Sequence, residues 1–353
     1  MGAPTSKEHG FTERLRSPAV ALGDASIDVA DLVLLGLLNG SWQDLEKRVE
    51  RGLVLDALEL LPIEPEEIRA AATHFRYGHN LVSANDFTEW LGVRSLRVAD
   101  LEGVIRRRML REREHERPTE GGAPDIAGTL WAEAVCSGVL RQLVLAAADR
   151  LAAAYRLGDE TPDSVAVGSE QPTLELVMTC TATGLPGLGE DDLRRRLRRL
   201  LALGEALEHL REQVADDQAI QRCLASHLLH WLRIAGDELV FNTEGSAREA
   251  RLLIVEDDLP IAEVAGRAGV IVTPRQLVLD SAPAEASTAL VACPPGEMAG
   301  PWLEDERWRL MAVTVKEPPS AEHEEMRERA TAELLRDVLD RTLAGRISWP
   351  QAL

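Results

Sequence analysis

Aromatic residues are scarce in this chain, because Phe, Trp and Tyr together make up only 4% of its 353 residues. The hydrophobic fraction is nevertheless 45%, so a core must be built mainly from Ala, Leu and Val. Charged residues add 28%, and this composition is typical of globular rather than disordered proteins. The length is sufficient for two domains, or for one large one.

Long apolar runs are also missing. No stretch of about 18 apolar residues occurs, so the sequence predicts no transmembrane helix. The opening text MGAPTSKEHGFTERLRSP has no apolar h-region, and we therefore expect no secretory signal. MGAPTS fits the pattern for myristoylation of Gly2 only loosely. The expectation is a protein without a membrane partner.

Paired cysteines are lacking as well. The four cysteines are far apart and none belongs to a CxxC motif: Cys136, Cys180, Cys223 and Cys293. Such spacing favours reduced thiols over a disulfide framework. We therefore expect a cytoplasmic protein.

Positive charge is in deficit, since 39 basic residues face 59 acidic ones and give a formal charge of −20. This balance argues against nucleic acid as a partner. Two local arginine clusters, Arg106–Arg108 and Arg194–Arg199, have two interpretations. They are either helix faces paired with nearby carboxylates or a grip for an acidic peptide.

The first half of the chain has the periodicity of helices. Residues 1–22 are polar and predicted to be loose, and helical text starts at Ala25. Asn39-Gly40 predicts the end of the first helix. Ser83 followed by Asp86 predicts the start of another. Linkers are predicted near 117–125 and 158–172, where Pro, Gly and polar residues concentrate.

The second half alternates between strand and helix patterns. The predicted strands are 238–242, 270–273, 276–279 and 308–316, and the predicted helices are 247–258 (capped by Ser246), 259–268, 282–292 and 322–344. A turn-rich stretch, 293–301, lies before the last strand. This order predicts an α+β module that follows a helical body.

Three segments of this module resemble the parvulin-type peptidyl-prolyl isomerases. Pro260–Gly266 is similar to a parvulin helix, and Pro295–Pro301, PGEMAGP, is similar to the turn before the last strand. Arg309–Lys316 is similar to that final, central strand. The resemblance implies the following order along the chain: a first strand, two helices, a turn region, a further helix, the PGEMAGP turn and the central strand.

The helical half resembles the SurA-type chaperone module that precedes parvulin domains. The similar segments are Ser83–Val93 and Leu96–Arg113. A further block, Leu130–Leu143, resembles bacterial parvulin-like proteins that occur beside peptide-maturation gene clusters. The resemblance therefore implies a foldase or chaperone.

Two departures from the family concern its chemistry. Phe241 and Asn242 stand where active parvulins have a histidine on the first strand, and Arg309 stands where the second histidine would be. The barrier to peptide-bond rotation is about 18–20 kcal/mol. Loss of the polar network that lowers it would remove most isomerase activity, so whether the chain is an enzyme is left open.

A possible zinc site and a possible nucleophilic cysteine each have a structural interpretation as well as a functional one. Cys223, His227 and His230 could ligate zinc from one helix face, but no fourth ligand is evident, and a buried helix stripe is favoured. Cys293 has no nearby histidine to activate it, so an inert thiol is favoured. We expect neither a metal nor another cofactor.

The combined prediction is an α+β protein that is mostly α. A SurA-like body at 23–235 precedes a degenerate parvulin-like domain at 236–318, and a C-terminal helix within 319–353 packs back on the body. The predicted function is binding of a peptide or unfolded protein client through a hydrophobic groove edged by arginine, in maturation of a ribosomally made peptide with a maturation enzyme as a further partner. The alternative is an active isomerase. The binding residues predicted from the resemblance are Phe241, Met298 and Met311.

Overall fold

The computed structural model describes residues 15–58, 62–113, 126–158 and 188–349. The chain divides into two compact units. The first consists of residues up to Leu210 and from Val338 onward, and the second of Arg211–Asp337. The architecture is α+β and mostly helical, which confirms the predicted fold class.

The first unit combines a helical array with a small sheet. Its strands are β1 Pro18–Leu22, β2 Ala25–Asp28 and β7 Ile347–Ser348. Its helices are α1 Val29–Leu38, α2 Ser41–Leu58, α3 Pro65–Gly78, α4 Ala84–Val93, α5 Val98–Arg113, α6 Ala127–Cys136, α7 Val139–Leu157 and most of α8 Glu190–Val214.

Helix α1 lies at the centre of this unit, because nine of its ten residues are buried. Its start is fixed by Asp28, whose carboxylate accepts from the Asp31 backbone N–H at 2.9 Å. Such a capping interaction satisfies an N–H group that has no partner within the helix. The helix ends at Asn39, and Gly40 continues with φ 82°, as the Asn39-Gly40 pair predicted.

The start of the described chain differs from the prediction of a loose segment followed by a helix. Strands β1 and β2 form an antiparallel hairpin around Gly23, which has φ 59°. Strand β1 also pairs with β7, with Leu22 opposite Ile347. The prediction failed because this partner strand comes from the other end of the chain, which no local pattern reveals.

The predicted start of helix α4 is confirmed. The Ser83 hydroxyl accepts from the Asp86 backbone N–H at 3.0 Å, and the Asp86 carboxylate accepts from the Ser83 backbone N–H at 3.3 Å. This reciprocal pair is a capping box, whose residues are adjacent in sequence and therefore readable from it.

The second unit is built on a four-stranded antiparallel sheet with the order β4-β3-β6-β5. Strands β3 and β6 are central, as the resemblance implied for the last strand. The strands are β3 Arg233–Phe241, β4 Thr273–Val278, β5 Met298–Glu304 and β6 Arg307–Glu317, and the helices are α9 Asp217–Ser226, α10 Glu244–Val255, α11 Ile261–Ala268, α12 Ala284–Ala292 and most of α13 Glu324–Leu343.

Each face of this sheet has its own apolar cluster. On one face Leu239 and Leu310 pack with Ala250 of α10 and Val264 of α11. On the other face Met311 contacts the cluster that contains Leu290 of α12. Because neighbouring residues of a strand point to opposite faces, Leu310 and Met311 belong to different clusters.

Two local predictions in this unit need correction. Thr243 rather than Ser246 caps helix α10, because the Thr243 side chain accepts from the Ser246 backbone N–H. The stretch predicted as turn-rich, 293–301, contains the first part of strand β5, which forms a hairpin with β6 around Asp305 and Glu306. Both of these residues have positive φ, as the tight hairpin turn requires.

The boundaries of the units differ from the predicted limits at 235/236 and 318/319. Helix α9 precedes residue 236, yet its Leu224 clusters with Trp231 and with Met326 of α13. These contacts join segments about a hundred residues apart, so the sequence pattern could not assign them. The linker predicted at 117–125, and all but Gly158 of the one at 158–172, lie outside the described residues.

Among the described helices, none is by itself long and apolar enough to cross a membrane. The segments Thr129–Cys136 and Val139–Leu157 are together long and apolar enough to cross a membrane, but they meet at an angle of 70°.

Candidate functional site

The three binding residues predicted from the resemblance are not brought together. Phe241 and Met298 belong to the cluster under helices α10 and α11, whereas Met311 belongs to the cluster on the opposite sheet face. All three side chains are buried. They therefore do not lie on one exposed surface.

The sheet face that carries Met311 also holds a network of charged side chains. Arg309 donates to Glu238 at 2.8 Å, and Arg275 donates to the same carboxylate and to Glu304 at 2.8 Å. The Trp302 indole N–H donates to Glu304 at 3.2 Å. Each carboxylate therefore has two partners or more.

The network shifts the pKa values of two of its members, Glu304 and Arg275. Hydrogen bonds from Arg275 hold the pKa of the Glu304 carboxyl below its usual range. The same bonds raise the pKa of Arg275, so these groups remain charged at neutral pH. Ionised, mutually paired side chains are poor proton donors and acceptors for reaction at an amide.

Cys223 and His227 lie together, but their geometry is that of a helix end. The Sγ atom is 3.8 Å from Nδ1 of His227, and the ring stacks on Trp231 with centroids 4.2 Å apart. In the described parts of the chain no group of three His, Cys, Asp or Glu residues could hold a metal ion. His230 does not complete such a set.

The thiols in the described ranges are free. Burial raises the pKa of Cys136 to about 12 and raises the pKa values of Cys223 and Cys293. A raised pKa disfavours the reactive thiolate. Cys180 falls outside the described residues.

Both predicted arginine clusters pair with carboxylates of the same unit. In Arg106–Arg108 the partners are Asp56, Glu133 and Glu112. In Arg194–Arg199, the single side chain of Arg196 contacts three carboxylates within 3.0 Å, those of Asp28, Asp31 and Asp192. This pairing supports the interpretation as paired helix faces rather than a grip for an acidic peptide.

A groove of about 480 Å³ opens on the first unit and is the strongest candidate site. It is lined by side chains from the end of α3, from α4, from the junction of α6 and α7 and from the chain end: His79, Trp90, Arg94, Val135, Gly138, Leu140, Arg141, Val144, Leu145 and Trp349. Most of these are apolar or aromatic, as is usual for pockets that take organic ligands.

Aromatic contacts form one wall of the groove. His79 stacks on Phe75 with centroids 4.0 Å apart, and Trp90 meets Phe75 edge-on at 5.6 Å. The Arg94 guanidinium lies 4.6 Å from the centroid of Trp90. Because each ring contacts a neighbour, this wall is pre-organised.

The angle between α6 and α7 forms the opposite wall. It occurs at Gly138, whose φ of 79° favours glycine and whose missing side chain leaves open space. Leu145 and Trp349 remain 47% exposed in the same groove. Exposed large apolar residues that share one concavity are a common sign of a binding surface.

The sequence predicts a groove edged by arginine but does not identify the residues of this one. Its lining comes from four parts of the chain separated by up to about 270 positions. No local sequence signal identifies Leu145 or Trp349 as groove residues, because neither differs in its sequence pattern from a core residue.

Comparison with known proteins gives distant likenesses only. No protein-family model matches the chain, and no curated protein matches it. Among solved structures it is similar to the foldase protein PrsA of Lactococcus lactis, with 12% identity and a TM-score of 0.29 over 60% of this chain and 84% of that one.

It is also similar to the SurA-like chaperones of Campylobacter jejuni, with 10% identity and a TM-score of 0.20 over 60% of this chain and 88% of that one. Both TM-scores are low, so neither likeness bears on what this chain binds.

Proposed function

We propose that this chain is a chaperone-like protein that holds an extended apolar segment of a peptide or unfolded protein client. The observation that carries the proposal is the groove lined by Trp90, Leu145 and Trp349. An apolar side chain entering it would leave water and contact preformed aromatic walls. The resemblance of the sequence to SurA-type foldases supports the same function.

The proposal includes loss of isomerase chemistry. The positions that would carry two histidines hold Phe241, Asn242 and Arg309 instead. Phe241 is buried in the core, and Arg309 is engaged with Glu238. The sheet face is therefore stabilised by ion pairs where a catalytic network would be needed.

The proposal also includes a cytoplasmic location and a role in maturing a ribosomally made peptide. Free thiols at Cys136, Cys223 and Cys293 support a reducing compartment. The resemblance of Leu130–Leu143 to proteins found beside peptide-maturation gene clusters supports the maturation role. A maturation enzyme would then be a second partner.

Replacement of Leu145 by Gln tests the groove. Burial of a leucine side chain is worth about 1.5–3 kcal/mol, and half of Leu145 is already shielded. We therefore expect Leu145→Gln to weaken binding of an end-blocked apolar peptide roughly fivefold to twentyfold, measured by fluorescence anisotropy.

The matched control is Leu252→Gln, because Leu252 on α10 is 49% exposed and lies in the second unit. Equal peptide binding by the wild-type protein and Leu145→Gln, or absence of binding by the wild-type protein, would exclude the groove as the client site.

The alternative function is an active peptidyl-prolyl isomerase. The order of strands and helices in the second unit, with β6 central, favours this alternative. Exchange spectroscopy on a proline-containing peptide separates the two functions. We expect no faster cis–trans exchange when the protein is added, and a catalysed rate would support the alternative.

A further inference from the structure

We infer that the groove selects client segments that combine apolar residues with acidic side chains, which are received by Arg141 and Arg94. This inference rests on the proposed function and adds the chemistry of the preferred client. Its basis is the distribution of charge in the groove, together with the apolar walls.

The lining of the groove contains two guanidinium groups and no carboxylate among its described residues. This distribution is unusual for a chain with 59 acidic and 39 basic residues. Several other arginines of the same unit, such as Arg107 and Arg196, are paired with carboxylates. The groove is therefore a local positive site on an acidic protein.

Arg141 is exposed and makes no ion pair with a described residue. It lies in the first turn of α7, where the positive end of the helix dipole disfavours a cation. That turn holds no acidic residue, and its cap, Gly138, provides no side-chain hydrogen bond. The position of Arg141 does not stabilise the helix, but it would favour an anion at the groove.

Arg94 is held in place rather than mobile. Its guanidinium lies over the Trp90 ring and donates to the Trp90 carbonyl at 3.3 Å, and its own carbonyl accepts from the Trp131 indole at 3.0 Å. Burial lowers the pKa of Arg94, because the partly dehydrated cation has lost solvation. A client carboxylate beside Arg94 would add a charge-assisted hydrogen bond.

The net charge of −20 makes the preference testable, because the protein as a whole repels an acidic peptide. Screening limits such long-range repulsion to about 8–10 Å at moderate ionic strength. Tighter binding of an acidic peptide must therefore come from contacts within the groove.

Two end-blocked fluorescent peptides test the inference. They share one apolar core with an aromatic residue, and two following positions are Glu in one peptide and Gln in the other. On the full-length protein at physiological salt, we expect the Glu peptide to bind roughly tenfold more tightly. Arg141→Gln should reduce this ratio at least threefold, because it weakens binding of the Glu peptide more than binding of the Gln peptide.

The matched control is Arg156→Gln, which makes the same charge change at the other end of α7 and outside the groove. This variant should keep the preference of the wild-type protein. Equal binding of the two peptides, or equal weakening of both by Arg141→Gln, would overturn the inference.

The outcomes also separate the inference from the proposed function. If the two peptides bind equally and Leu145→Gln weakens both, the client groove stands and the acidic preference is wrong. If neither peptide binds the wild-type protein, both are overturned.

Discussion

Glu133 is a deeply buried acidic partner in the first unit. Its side chain is 3% exposed, and it accepts from Arg107 at 3.1 Å and from Arg111 at 3.0 Å. Arg107 is itself 8% exposed. A cation that has lost its water depends on the carboxylate for compensation, so this site is sensitive to removal of one partner.

We predict that Glu133→Gln lowers the free energy of unfolding by about 3–5 kcal/mol, because it leaves Arg107 buried without its counter-charge. Chemical denaturation measures the change. Glu112→Gln, which breaks the exposed pair between Glu112 and Arg108, should cost at most about 1 kcal/mol. Similar costs for the two variants would show that burial of Glu133 does not matter.

The thiol of Cys136 gives a second prediction at this scale. Its ordinary pKa is 9.0, and burial raises it to about 12. We expect a variant that keeps only Cys136, with the other cysteines replaced by Ala, to react slowly with a disulfide reagent at pH 8 and rapidly once unfolded. Rapid labelling of the folded protein would contradict the raised pKa of Cys136.

The sign of the pH effect follows from the same shift. Between pH 9 and 12 the unfolded chain loses the thiol proton and the folded chain keeps it. This group therefore stabilises the fold fully below pH 9, and its contribution decreases as the pH rises. Cys136→Ala should reduce the loss of stability at high pH.

Among the elements, strands β3 and β6 make the closest contact. The pairing register of the two strands shifts between Ala235 and Gly236. A Cβ atom on Gly236 would lie 2.1 Å from the carbonyl oxygen of Ala312. Only glycine allows the two backbones to approach this closely. The central pair of the sheet therefore depends on one residue without a side chain.

We predict that Gly236→Ala destabilises the second unit by roughly 1–3 kcal/mol, because the backbones must move apart. The control is Gly266→Ala in α11, where a Cβ would meet open space and the better helix propensity of Ala should stabilise by about 1 kcal/mol. Hydrogen exchange of the β3 and β6 amides would report the difference. Unchanged protection in Gly236→Ala would contradict the contact.

The helices and strands also show which features local sequence can predict. The start of α4 at Ser83 and the end of α11 at Gly269 were predictable, because a cap depends on residues only a few positions apart. Strand β5 was missed because Gly300-Pro301 interrupts its alternation, and the ladder accommodates the pair by a register shift between Ala299 and Trp302.

For the whole molecule, the end of the chain completes the first unit. Strand β7 pairs with β1, and Trp349 lies in the groove. One short segment therefore contributes both to the sheet and to the candidate client site. Stability and binding in this unit should be linked through the last described residues.

We predict that deletion of residues 347–353 weakens binding of the apolar peptide about tenfold, because the aromatic wall loses Trp349 and β1 loses its partner. Deletion of residues 350–353 alone should leave affinity unchanged. Fluorescence anisotropy and denaturation would be measured on both proteins. Full peptide affinity after the longer deletion would exclude a role for Trp349.

The sequence by itself determined the mostly helical α+β class, the caps and the alternation of the last strand, because these depend on neighbours along the chain. The tertiary structure alone decided that the clusters at 106–108 and 194–199 are paired within the chain and that Arg94 and Arg141 line the groove. Ion pairs and concave surfaces join residues that are distant in sequence, so their partners are determined only by the packing of the core.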